Sequence, residues 1–455
     1  MCNDGCLPAA LPSRASAGAV SATLGALILV LLPSLAHAQT TTRVSVSSAG
    51  ALANNSSDGG SLTADGRYVV FQSRASNLVA GDSNGVHDIF LRDRQAGTTT
   101  RISVSSGGAQ GNNASYGSEI TRDGNLVALT SDATNLVSGD TNGAIDLFFR
   151  NMQTGSMTRL MGLGGSQPNG NFVPGVFSED GRYYSFISTA SNLVANDLNG
   201  KPDAFVHDLQ TGSTERVSVA SGGAEANDNS RFPFVSNDGR YVVFDSVATN
   251  LVASDNNLFH DIYLRDRQLG TTVVISRGIG GAQTNGDSLA AALSGDARYI
   301  AYASAASNLV AGDSNGQDDL FVFDRVANTT VRISVGPGGV QANSGSGLSR
   351  FAPDSRYVYF SSAASNLVPN DANGNILDMF LHDRQTGTNT LLSLGTGGVQ
   401  GNSDSFGYSH CANFNCYVFR TSSTNLDPGD TNGVADVWVR DFVPLSLPLF
   451  ANGFE

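Results

Sequence analysis

The chain has 455 residues, with 52 Gly, 26 Lys or Arg and 40 Asp or Glu, a formal net charge of −14. Such an acidic chain lacks the basic field that neutralises phosphates, which excludes nucleic acid as a partner. At 40% hydrophobic residues it is not a disordered acidic tail either.

Residues 1–38 read as a secretory signal. After a polar stretch containing Arg14, a mostly apolar run from Ala19 to Leu32 leads to Ala36-His37-Ala38, an A-x-A site with cleavage expected before Gln39. The run is short for a membrane span and no later stretch approaches that length. The mature chain is therefore expected to be exported, to the periplasm or outside the cell, as a monomer without a transmembrane segment.

From residue 39 a repeat takes over. Asp65-Gly-Arg-Tyr-Val-Val-Phe71 returns at Asp123, Asp180, Asp238, Asp296 and Asp354, spaced by 57 or 58 residues, and Tyr417-Val-Phe marks a seventh copy. Seven such units make 39–444 one repeat domain, followed by a tail, 445–455. Within a unit, a short strand precedes the Asp-Gly turn and Tyr68-Val-Val-Phe71 alternates as a second. Asp88-Ile-Phe-Leu-Arg92 is a third and Thr98 to Ser105 a fourth. Four antiparallel strands, seven units and no helical periodicity predict an all-β fold, a seven-bladed β-propeller. Thr40 to Ser48 repeats Thr98 to Ser106 almost letter for letter, so the N-terminal strand is predicted to complete the last blade and close the ring.

The strings Phe177-Ser-Glu-Asp-Gly-Arg-Tyr183 and Val235-Ser-Asn-Asp-Gly-Arg-Tyr241 resemble the TolB-type (WD-like) propeller repeat of exported bacterial proteins. That resemblance implies the fold. It does not select a function, because the repeat serves transport scaffolds, peptidase gating domains and lyases alike.

The loop between the second and third strands carries D-x-N-G-x-x-D, and it shares one face with the connections between blades. Its residues are Asp82, Asn84 and Asp88; Asp140, Asn142 and Asp146; Asp197, Asn199 and Asp203; Asp255, Asn257 and Asp261; Asp313, Asn315 and Asp319; Asp371, Asn373 and Asp378; and Asp430, Asn432 and Asp436. The fourth copy has Leu258 in place of Gly and the sixth is one residue longer. The loop resembles a shortened calcium loop of FG-GAP propellers, which makes calcium the candidate cofactor at these oxygens. Asx turns that recur with blade geometry are the alternative. Two loop Asp in seven repeats equal the whole net charge, so the acidity is expected to concentrate on the long-loop face.

A second polar row, Asn54, Asn112, Asn169, Asn227, Asn285, Asn343 and Asn402, suits either glycan recognition or satisfaction of backbone groups. Cys411 and Cys416 are spaced for a disulfide in an oxidising compartment, with a metal site beside His410 as the alternative. Of the tail, packing across the seventh blade or recognition by a sorting system is expected.

No nucleophile elbow, zinc-protease or phosphate-loop motif occurs, and His87, His207, His260, His382 and His410 fall at scattered blade positions. The expectation is a non-catalytic scaffold that binds a protein, peptide or glycan on its long-loop face. The alternative is a calcium-dependent carbohydrate-binding or adhesion protein. A polysaccharide-active enzyme comes third, because it needs His and acidic residues converging at one channel mouth.

Overall fold

The computed structural model describes residues 39–442 apart from 254 and 413. The signal segment 1–38 and the tail 445–455 lie outside the described residues. Among the described residues, twenty-eight strands form seven four-stranded antiparallel sheets, spanning 57–101, 115–159, 172–216, 230–274, 288–332, 346–391 and, for blade 7, 405–441 with 40–43. The first strands of neighbouring blades touch one another around the axis. This is the predicted seven-bladed propeller. No helix among the described residues is long and apolar enough to cross a membrane.

Ring closure follows from the duplicated N-terminal strand. Thr40–Arg43 pairs antiparallel with Asp436–Asp441, Thr40 opposite Asp441 and Arg43 opposite Trp438. The seam is tightened by the bonded pair Cys411 and Cys416, which replaces the Asp-Gly-Arg turn in blade 7 with its Cα atoms 5.3 Å apart. Gly66 of blade 1 lies against this bond. At φ +69° a side chain is disfavoured there, and a Cβ would stand 2.7 Å from both sulfurs.

The blade interiors follow from the alternation. Val69, Phe71 and Phe90 of blade 1 share one core cluster with Val418, Val437 and Val439 of blade 7, so each sheet buries a face against its neighbour. Directly opposed aromatic residues stack across the second and third strands, as Phe71 does on Phe90 at 5.8 Å and Phe244 on Tyr263 at 5.7 Å.

The repeated Asp-Gly-Arg-Tyr string is a self-contained device at the short-turn face. Asp65 accepts hydrogen bonds from Thr63 Oγ1 at 2.6 Å and from the Arg67 amide at 3.0 Å. Arg67 then grips Asp93 with two nitrogens, at 3.1 and 2.7 Å, and lies 4.7 Å over the Tyr68 ring. Arg182, Arg240, Arg298 and Arg356 hold Asp208, Asp266, Asp324 and Asp383 in the same way. The arginine contact holds the Asp93 carboxyl at about 2, below its ordinary value.

Candidate functional site

The seven D-x-N-G-x-x-D loops do bring their two carboxylates together, as the spacing predicted. In five blades an arginine lies between them. Arg101 Nη1 is 3.3 Å from both Asp82 and Asp88, and Arg159 is 3.0 and 3.1 Å from Asp140 and Asp146. Arg216 is 3.3 and 3.6 Å from Asp197 and Asp203, and Arg332 is 3.0 Å from both Asp313 and Asp319. In blade 7 the N-terminal strand supplies Arg43, 3.1 and 3.3 Å from Asp430 and Asp436. A guanidinium therefore stands where the sequence suggested a row of cation sites.

Blades 4 and 6 carry Val274 and Leu391 at the arginine position. There Tyr263 donates to Asp255 at 2.5 Å, Thr284 donates to Asp261 at 2.8 Å, and Gln400 donates to Asp371 and Asp378, each at 2.8 Å. The loop asparagines donate their side-chain N–H inward, to the carbonyls of Gly111, Pro168, Ala226, Thr284, Ala342, Gly401 and Ala53 in turn.

These contacts correct the expected acidic face. The side chains of Asp82, Asp140 and Asp430 are 3% exposed and those of Asp88, Asp146 and Asp436 are wholly buried. Burial pushes Asp146 and Asp197 up to about 6. Blade 3 has the most acidic of these clusters, since Glu225 replaces the usual connector glutamine. Ligand oxygens of Asp197, Asp203 and Glu225 lie within 4.8 Å of one another, a group that could hold a metal ion, and Arg216 is 2.6 Å from Glu225.

The second asparagine row is exposed, but its side chains are engaged within the protein. Asn54 donates to Ser76 Oγ at 3.0 Å and accepts from the Ser76 amide at 2.9 Å, while its own amide donates to Asn77 at 3.0 Å. The same clasp recurs from Asn112 to Asn402. These amides lock each connector to the loop beside it and satisfy backbone groups.

The axial channel holds the chemistry that sequence reasoning missed. Towards the short-turn face it is plugged. Arg122 of blade 2 reaches Glu179 of blade 3 at 2.7 Å, and it contacts the carbonyl and, at 3.2 Å, the ring Nδ1 of His410 of blade 7. Arg350 lies 5.5 Å over the Phe234 ring, and with Glu119 and Tyr359 the plug leaves a cavity of only about 30 Å³. Burial, followed by the Arg122 charge, lowers His410 to about 4, and burial raises Glu119 against the pull of Arg350 and Arg122.

Towards the long-loop face lies a cavity of about 240 Å³, lined by Asp58, Gln72, Glu119, Arg350 and Tyr408. Blade 4 places a charged trio at this end of its inner strand. Asp245 is fully buried, and its Oδ2 lies 3.1 Å from Arg231 Nε and 3.1 Å from His260 Nδ1. Arg231 Nη2 is 3.0 Å from His260 Nε2. The other oxygen, Asp245 Oδ1, is buried and makes no hydrogen bond among the described residues. Beside the trio, Phe232 is 53% exposed at φ +49°, the bulge conformation that Gly59, Gly117, Ala290 and Leu348 also take in their first strands. His260 is thus not at a merely scattered position: the ring brings it to an acid and a base that its sequence neighbours do not reveal.

No protein-family model and no curated protein matches the chain. Solved structures do. An oligogalacturonate lyase in complex with manganese matches at 13% identity over 90% of this chain and 94% of that one, with a TM-score of 0.54. An oligogalacturonate lyase from Vibrio parahaemolyticus matches at 12% identity over 89% and 90%, TM-score 0.51. The propeller domain of the Trilobed protease from Pyrococcus furiosus, described as an open velcro topology, matches at 11% over 85% and 95%, TM-score 0.51. TolB proteins also match, at TM-scores of 0.40 and 0.38. At these identities the likeness is one of fold. The expectation of a non-catalytic scaffold is corrected all the same: the chain shares its propeller, over nine-tenths of its length, with lyases, and the architecture gives no ground for excluding catalysis.

Proposed function

We propose that the protein is an exported carbohydrate-active enzyme working at the long-loop mouth of its channel, with acidic oligosaccharides as its substrate class. The observation that carries this reading is the trio of Asp245, Arg231 and His260. A buried carboxylate 3.1 Å from Nδ1 orients the imidazole, and Nε2 faces Arg231 Nη2 at 3.0 Å, so in this reading a substrate carboxylate draws the guanidinium away and frees Nε2 to act as the base. Arg231 presents a planar fork suited to a sugar carboxylate, and the exposed Phe232 ring offers an apolar face on which a pyranose can rest. In this reading His260 takes a proton from the carbon next to the substrate carboxylate while Arg231 steadies the charge that gathers on its oxygens; that electron pair then forms a double bond to the neighbouring carbon as its bond to the glycosidic oxygen breaks, and the departing oxygen takes up a proton. The likeness in fold to oligogalacturonate lyases supports oligouronides as the first substrates to assay.

The test is turnover of an oligouronide panel by the wild-type chain, Asp245→Asn and His260→Gln. Loss of turnover with binding retained in both variants is the expected result. Turnover on no acidic saccharide, or unchanged turnover in the variants, rejects the reading. Export is tested by the N-terminus of the protein recovered from the periplasm or the medium.

A further inference from the structure

The strand that closes the ring begins next to Gln39, whose Oε1 accepts a hydrogen bond from Arg440 Nη2 at 2.6 Å. Arg440 is 2% exposed. Its other terminal nitrogen, Nη1, donates to Thr41 Oγ1 at 3.1 Å, to the Gly395 carbonyl at 3.0 Å and to the Leu394 carbonyl, so the guanidinium is fixed with Nη2 turned to the Gln39 side chain. The Ala36-His37-Ala38 site places the cut directly before this glutamine.

We propose that Gln39, once freed by that cut, closes to pyroglutamate, with Arg440 as the positioning residue. The inference rests on the export reading above. In the step the α-nitrogen bonds to Cδ of its own side chain and the Cδ–Nε2 bond breaks. The amide nitrogen leaves as ammonia and takes up the proton released by the α-ammonium, so the products are a five-membered lactam and ammonium, with nothing oxidised or reduced. Negative charge gathers on Oε1 during the attack, and the guanidinium already bonded to that oxygen stabilises it.

Electrostatics favours the product. An α-ammonium would put a second positive charge beside a buried guanidinium, whose own ionisation burial already disfavours. Asp441, the strand partner of Thr40, is engaged by Arg94 at 2.6 Å. The lactam carries no charge and keeps the carbonyl that Arg440 holds.

Intact mass and the tryptic peptide 39–43 decide the matter for the full chain exported under its own leader. The expected product begins at residue 39 and is about 17 Da lighter than the open form, the mass of ammonia. A chain that begins at residue 39 with a free amine overturns this inference and leaves export standing. A chain that retains residues 1–38 overturns both, and one cut elsewhere overturns this inference alone. For the role of Arg440, residues 1–38 are exchanged for a tag whose protease leaves Gln39 first, and closure is followed by mass in buffer and in urea. Closure on the order of tenfold faster in the folded chain is expected; equal rates overturn the positioning role.

Discussion

Arg43 Nη2 lies 3.1 Å from Asp430 Oδ2, joining the first described strand to the last blade's loop across almost the whole sequence. Both side chains are under 5% exposed, and Asp436 shares the same guanidinium. Closure of the ring therefore supplies backbone pairing and also the counter-charge without which two buried carboxylates stand alone.

Removing that charge is expected to be costly. Arg43→Ala leaves Asp430 and Asp436 buried without their cation, and a loss of about 3–5 kcal/mol is expected in urea unfolding. Arg43→Met, which keeps the stem, separates charge from packing and should lose nearly as much. A change within experimental error for both variants contradicts the assignment.

The arginines also predict an insensitivity. Since a guanidinium already lies between the carboxylates of five loops, millimolar calcium or a chelator is expected to leave the melting temperature unchanged. A rise with calcium would show that the loops of blades 4 and 6, or the Asp197, Asp203 and Glu225 oxygens with Arg216 displaced, take up the ion.

His410 sets a pH dependence whose sign can be worked out. Burial and then the Arg122 charge lower it from an ordinary 6.5 to about 4, so the folded chain keeps the ring neutral. Its contribution to stability is full above pH 6.5 and is lost as pH falls from 6.5 towards 4, where the unfolded chain binds the proton first. Asp146 and Asp197, raised to about 6, act in the opposite sense over their own range, so total stability is a poor readout. The difference between wild type and His410→Gln isolates the effect: it should move by about 3 kcal/mol in favour of the variant between pH 7 and pH 4. A difference that does not change with pH refutes the assignment.

A fourth expectation concerns backbone strain. In blade 6 the turn glycine of the repeat is replaced by Ser355, held at φ +58°. Ser355→Gly should relieve about 1 kcal/mol, raising the urea midpoint without changing the slope. An unchanged or lowered midpoint counts against strain at this turn.

The fold was legible because the repeat wrote it seven times, and because the near-identity of Thr40–Ser48 to Thr98–Ser106 betrayed the shared blade. The loop carboxylates were legible as pairs but not as pairs that, in five blades, share a buried cation. Their arginines end the fourth strand, thirteen residues after the second Asp in blade 1, at Asp88 and Arg101, and counting charge by loop separates partners that the sheet sets side by side. Five arginines recurring at one position were the signal that could have found them. The channel trio left no such trace. Asp245 occupies a position filled elsewhere by Gln72, Thr130, Ile187, Ala303, Ser361 and Arg420, so no repeated pattern singles it out. Its meeting with His260 depends on sheet register and the turn of the connector, which periodicity does not encode.

The clasp between the chain's two ends also bears on how the molecule comes apart. A linear array of repeats frays from its terminal units, each lacking one neighbour. Here Thr40 faces Asp441 across the last blade, so every sheet has a neighbour on both sides and there is no outermost unit to peel away. Where the sequence happens to begin is then nearly arbitrary: a permuted chain starting at Ser57, with Asp441 joined to Thr40 through a tight hairpin turn, would spell the same seven blades one after another. It would lack only the stitch that makes the loss of any one of them the loss of all.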